Sequence, residues 1–138
     1  MSKLDHLPIK DRETYSTYLA GRESGRLDAY LAIAHLCLDL CEPSGFVCLV
    51  LQQTFLRAAN ASGLRRRIAK DFDVCCLVDL SAVPVFELSG AYTILLVLQR
   101  RIPGAADGKI AAHIAHITES VGAALQACLE GLTTKTES

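Results

Sequence analysis

The sequence predicts one α/β domain built around a small sheet of three strands, the last antiparallel, with flanking helices and a further helix at the C-terminus. Three observations predict it. Residues 46–51, 74–80 and 92–98 are apolar runs with almost no polar alternation, the pattern of strands covered on both faces. Helical periodicity occupies the stretch before the first run and the stretch between the first and second. Between the second and third, residues 81–90 are too short and turn-rich for a helical crossover, so the third strand should reverse direction.

In chain order, residues 1–25 form a polar lead-in closing on Gly21-Arg22-Glu23-Ser24-Gly25, with turn chemistry and little to bury. From Leu27, the apolar residues Leu27, Tyr30, Leu31, Ala34, Cys37, Leu38 and Cys41 recur at helical spacing. Asp28, His35, Asp39 and Glu42 fall opposite them. Pro43-Ser44-Gly45 ends that helix, because proline cannot extend the hydrogen-bond ladder. Leu64, Ile68 and Phe72 predict a short crossover helix over residues 64–72, which lets the first two strands run parallel. Residues 26–102 make up the α/β unit. Over residues 106–131, Ile110, Ile114, Ile117, Val121, Leu125 and Cys128 form one helical stripe, expected to dock on the sheet or on another chain. His113 and His116 belong to its surface or rim.

The chain has 138 residues, 51% of them apolar, enough for a real core. A net charge of −1 leaves any basic footprint to a local patch. The six cysteines mostly lie in apolar segments and read as buried cytosolic thiols. No paired Cys-x-x-Cys supports a metal site. No apolar run reaches the roughly 18 residues of a membrane-spanning helix, so a soluble, cytoplasmic protein is expected.

Several short motifs occur in order. Asp28-Ala29-Tyr30 opens a helix, Glu42-Pro43-Ser44-Gly45-Phe46 leads into a strand, and Gln53-Thr54-Phe55-Leu56 follows it. Gly63-Leu64-Arg65 begins the next helix, and Val85-Phe86 precedes Ala91-Tyr92-Thr93-Ile94. Together they resemble the second half of the catalytic domain of adenine-N6 DNA methyltransferases of type II and IIG restriction-modification systems, a Rossmann-like fold. The resemblance runs roughly from residue 14 to residue 101.

The resemblance implies that Asp28 and Tyr30 lie near an S-adenosyl-methionine pocket and that Phe86 stacks on an adenine flipped out of the duplex. Other readings of the same residues stay open. Asp28 suits a helix first turn, Tyr30 a core stripe, and Phe86 a plug at the sheet end. Gln52, Gln53 and Thr54 stand at a strand end, the usual place for ligand contacts in such sheets. Arg65, Arg66 and Arg67, with Arg57, Lys70, Arg100 and Arg101, either meet DNA phosphates or form a solvated helix face diluted by Asp71 and Asp73.

The family's glycine-rich donor loop and Asn-Pro-Pro-Tyr/Phe motif have no match here, so no catalytic residue is assigned. Leu51 stands where proline is frequent and Ser44 where the first of two glycines is usual. The expectation is a split component of such an enzyme, inactive alone and bound to a second polypeptide or to itself across an open sheet edge. The alternative is a non-catalytic DNA-binding or interaction remnant.

Overall fold

The computed structural model describes residues 7–25, 27–82, 92–104 and 113–116, together with Gly122, Gln126 and Glu130. Helix α1 (Ile9–Leu19) precedes α2 (Ala29–Leu40), which leads into β1 (Phe46–Gln52). Two short 3-10 turns, Gln53–Leu56 and Ala59–Ala61, connect β1 to α3 (Ser62–Asp71). Strands β2 (Phe72–Asp79), β3 (Thr93–Arg100) and β4 (His113–His116) follow.

The sheet order is β1-β3-β2-β4. Strand β3 is antiparallel to both β1 and β2 and lies between them, so β1 and β2 share a direction without touching. The third apolar run thus reverses as its short connection demands, and it takes the central position. A bulge at Val74/Cys76 interrupts the β2 ladder.

Alternation sorts the faces. Val47, Leu49 and Leu51 of β1 stand opposite Leu98, Leu96 and Ile94 of β3. These six pack with Leu31 and Leu38 of α2 and Leu64 and Ile68 of α3 in the main core. On the other face Cys75, Cys76, Val78, Leu80 and Val97 make a second, smaller cluster. Covering of both faces therefore holds for β2 and β3. It does not hold for β1, whose Phe46 and Val50 are 60% and 55% exposed. The reason is position: β1 ends the sheet order, and among the described residues its cover comes from one side.

Two further segments differ from expectation. The polar lead-in contains α1, which packs on α2 through Tyr15, Tyr18 and the fully buried Leu19. Three apolar side chains suffice there, too few for the periodicity to register. Residues 113–116, expected within the C-terminal helix, instead form β4, parallel to β2 with Cys76 opposite His113 and Asp79 opposite His116. The edge of β2 offers a row of unpaired backbone groups, and satisfying it overrides a helical spacing read from side chains alone. Helix returns at Gly122, Gln126 and Glu130, where Gln126 Nε2 donates to Glu130 Oε1 at 3.0 Å across one turn. The remaining stripe residues lie outside the described set. No described helix is long and apolar enough to cross a membrane.

Candidate functional site

Connectivity assembles the site. Helix α2 leads into the start of β1, and α3 leads into the start of β2, so both helices begin at the end of the sheet where β1 and β2 finish. In open α/β sheets that end is where ligands bind.

Asp28 is the residue before α2 and only 4% exposed. Its side chain makes no capping bond to the helix, which removes the simplest structural explanation for a carboxylate there. Oδ2 accepts from Asn60 Nδ2 at 3.4 Å, whereas the buried Oδ1 has no partner among the described residues. A buried acceptor left unsatisfied costs free energy, of order 1–3 kcal/mol for a neutral group and more for a charged one, unless something else donates to it.

Tyr30, half-buried one helix step on, shares this environment. Burial pushes its hydroxyl pKa up, and the charges of Asp28 and Glu23 add to this while Arg65 opposes them.

Glu23, in the turn that leads to Asp28, carries no local sequence pattern that marks its role. Its buried carboxylate takes the Gly63 amide on Oε2 at 2.8 Å and the Leu64 amide on Oε1 at 2.5 Å, capping the first turn of α3 from a segment forty residues away. His35 Nε2 joins the same Oε1 at 3.1 Å. Arg67 donates through Nη1 to the His35 carbonyl at 3.2 Å and lies 3.3 Å from His35 Nδ1. Its Nη2 reaches Asp39 Oδ1 at 2.5 Å, and Asp39 also accepts from Tyr18 and Arg22. His35, assigned to the polar side of α2, is in fact buried within this network. Burial lowers its pKa, and the neighbouring Glu23 offsets this in part. No local pattern signals a cap supplied from so far away in sequence.

The arginines divide by task. Arg65 Nη1 donates to the Phe55 and Ala58 carbonyls, each at 2.7 Å, and so holds the turns after β1 in place. Arg67 joins α3 to α2. Arg100 bonds the Cys41 carbonyl, and Arg101 pairs with Asp73 at 2.9 Å. Of the basic group, Arg57, Arg66 and Lys70 are exposed, as is Thr54. The patch that reads as continuous in sequence is therefore mostly internal bracing.

Gln53 is partly buried, and its Nε2 donates to Asp79 Oδ2 at 3.3 Å. Asp79 closes β2 and also receives the Ser81 amide and hydroxyl on Oδ1 and His116 Nδ1 on Oδ2. Burial raises the Asp79 pKa, but the Ser81 bonds and His116 outweigh it, leaving the group below the usual carboxylate range. Asp28, Tyr30 and Asn60 thus gather at the starts of α2 and α3, while Gln53 and Asp79 gather at the ends of β1 and β2. Phe86 lies outside the described residues.

No protein-family model matches the chain, and no curated protein matches it. Among solved structures it superposes on a Listeria monocytogenes protein provisionally assigned as a class I S-adenosylmethionine-dependent methyltransferase. The TM-score is 0.64 and the identity 16%, over 90% of this chain and 38% of that one. The fold is therefore that of a Rossmann-like methyltransferase, and the chain spans about two-fifths of that neighbour's length.

Proposed function

Starting from a methyltransferase fold of which this chain spans only a part, we propose that it is a component of an adenine-N6 DNA methyltransferase. It would supply part of the donor pocket and the wall against which a flipped adenine stacks. The observation that carries this is Asp28: a buried carboxylate with one oxygen unpartnered among the described residues, at the sheet end where ligands bind.

S-adenosyl-methionine fits that observation, because its hydroxyl, amino and ammonium groups are donors and an orphaned carboxylate oxygen is an acceptor. Asp28 and Tyr30 would hold it, and when bound it supplies an electrophilic methyl group on sulfonium. Asp28 would orient the donor through that oxygen. Asn60 would fix the carboxylate, and α2 would bring Tyr30 alongside. Phe86 is assigned to base stacking by the family resemblance. Gln53, Thr54, Arg65 and Arg66 are the candidate DNA contacts, and the exposed Thr54 and Arg66, with Arg57 and Lys70, are the ones turned to solvent.

The partner in this reading is a polypeptide segment carrying the glycine-rich loop and Asn-Pro-Pro-Tyr. It would add a strand to the outer edge of β1. Among the described residues nothing pairs with that edge, β1 leaves Phe46 and Val50 exposed on one face, and such edges invite pairing. The neighbour's extra length supports this, since this chain covers only 38% of it. Ile33 and Leu36 of α2 line an apolar cleft of about 240 Å³ against α1, a further place for a partner side chain. The same exposed edge favours a second reading, a non-catalytic interaction or DNA-binding remnant of the fold.

Calorimetric titration with S-adenosyl-methionine tests the proposal, first on the chain alone and then with a polypeptide bearing the missing motifs. The expected result is binding in the mixture that Asp28→Asn weakens about tenfold, the equivalent of one lost hydrogen bond. No heat in either case would overturn the donor assignment and leave the interaction module.

A further inference from the structure

The Asp79 cluster has no part in holding the donor, and its bonding pattern dictates what it shows to a ligand. Four donors converge on one carboxylate. The Ser81 amide, at 2.9 Å, and the Ser81 hydroxyl take Oδ1. Gln53 Nε2 and His116 Nδ1, each at 3.3 Å, take Oδ2. These groups come from three places: the turn after β1, the end of β2 with its following turn, and the end of β4. Their side chains are part-exposed, His116 58% and Asp79 24%, and an exposed ion pair of this kind adds at most about 1 kcal/mol to stability. The two Ser81 bonds close an Asx turn after β2, whereas Gln53 and His116 are brought to Oδ2 from the turn after β1 and from β4.

An ionised carboxylate only accepts hydrogen bonds. Gln53 must therefore turn its amide nitrogen to Asp79, which directs its Oε1 elsewhere. His116 must carry its proton on Nδ1, which makes Nε2 of the neutral ring an acceptor. Both donors meet at one oxygen, Oδ2, so the two side chains come together at Asp79 and each keeps one acceptor, Gln53 Oε1 and His116 Nε2, that Asp79 does not engage. Two acceptors brought to one place in this way suit an amino group bearing two hydrogens.

We propose that Asp79 orients Gln53 and His116 as a paired acceptor for the exocyclic amino group of a nucleobase in the bound DNA. The ligand class rests on the methyltransferase reading above, whereas the acceptor pair rests on the hydrogen bonds alone. Adenine and cytosine both carry such an amine, and their deaminated counterparts present a carbonyl in its place. Gln53 and His116 would thus reject inosine and uracil, leaving two acceptors facing a third.

Long-range proton–nitrogen spectra of the full chain at pH 8, labelled with nitrogen-15 in histidine and assigned with His116→Gln, test this. The His116 ring is expected in the Nδ1–H form, and Asp79→Asn should release it to the ordinary mixture of tautomers. Millimolar 2′-deoxyadenosine or 2′-deoxycytidine should shift the Nε2 resonance, 2′-deoxyinosine and 2′-deoxyuridine should not, and Gln53→Ala should weaken the response about tenfold. An Nε2–H ring, equal responses to amino and carbonyl nucleosides, or no response to any of the four would overturn the assignment. Amine selectivity without donor binding would leave base recognition divorced from methyl transfer. Donor binding without amine selectivity would remove only the acceptor pair.

Discussion

Replacing Glu23 should be among the most damaging single changes in the chain, although nothing in its sequence neighbourhood says so. Its carboxylate is fully buried and satisfies two amides that α3 cannot satisfy itself, Gly63 at 2.8 Å and Leu64 at 2.5 Å. Glu23→Gln keeps one acceptor oxygen and sets an NH2 group against the other position. It loses one charge-assisted bond, worth about 1.5–3 kcal/mol, and weakens the second by about 1 kcal/mol. The expected cost is about 3 kcal/mol, or about 10 °C in melting temperature for a chain of this size. Glu23→Ala leaves both amides and His35 Nε2 without their acceptor and should cost about 4–5 kcal/mol. Urea unfolding at pH 7.5 measures both. A glutamine variant within about 0.5 kcal/mol of the parent would refute the cap. A double-mutant cycle with His35→Ala should give a coupling of at least about 1 kcal/mol.

The remaining predictions are local. A Cβ at Gly63 would stand 1.8 Å from the Arg22 carbonyl oxygen. Gly63→Ala should therefore lower stability by about 1–3 kcal/mol or more in the same assay, reversing the roughly 1 kcal/mol gain that helix propensity alone predicts. Ser44 has a φ of 62°, the left-handed region that glycine occupies without strain. Ser44→Gly should raise the unfolding free energy by up to about 1 kcal/mol, and a loss would show that the Ser44 conformation is not the limiting one. Burial depresses the pKa of His35 in the folded state below its unfolded value of about 6.5. The unfolded chain then binds more protons, so this contribution is complete above about pH 6.5 and lost as pH falls toward the folded pKa. Stability measured from pH 7.5 to 5 should decline more steeply in the parent than in His35→Gln, and parallel curves would refute the assignment.

What could be read in advance followed from what is local. Apolar runs located β1, β2 and β3 to within two residues at each end, and a short connection reversed β3. Helix α2 ends at Leu40, just ahead of Pro43, where proline bars its continuation. Gly63, singled out by resemblance, has a physical basis in the Arg22 backbone packed against it. The misses are long-range. Glu23 caps a helix forty residues downstream, β4 answers an edge that exists only after β2 has formed, and Arg65 and Arg67 look like surface charge until the carbonyls and His35 they bond are in place. Asp28 was singled out from sequence, but its unpartnered oxygen is visible only in three dimensions.

The insertion of β3 between two strands that precede it has a consequence for how the chain matures. During synthesis β1 and β2 emerge first, yet neither can complete a ladder with the other, because the position between them is reserved for residues 93–100. At about 5–20 residues per second, β1 waits several seconds with this inner edge bare before its neighbour arrives. Any truncation ahead of residue 93 would leave two aligned strands with an empty slot between them, so the domain closes in a single late event rather than strand by strand.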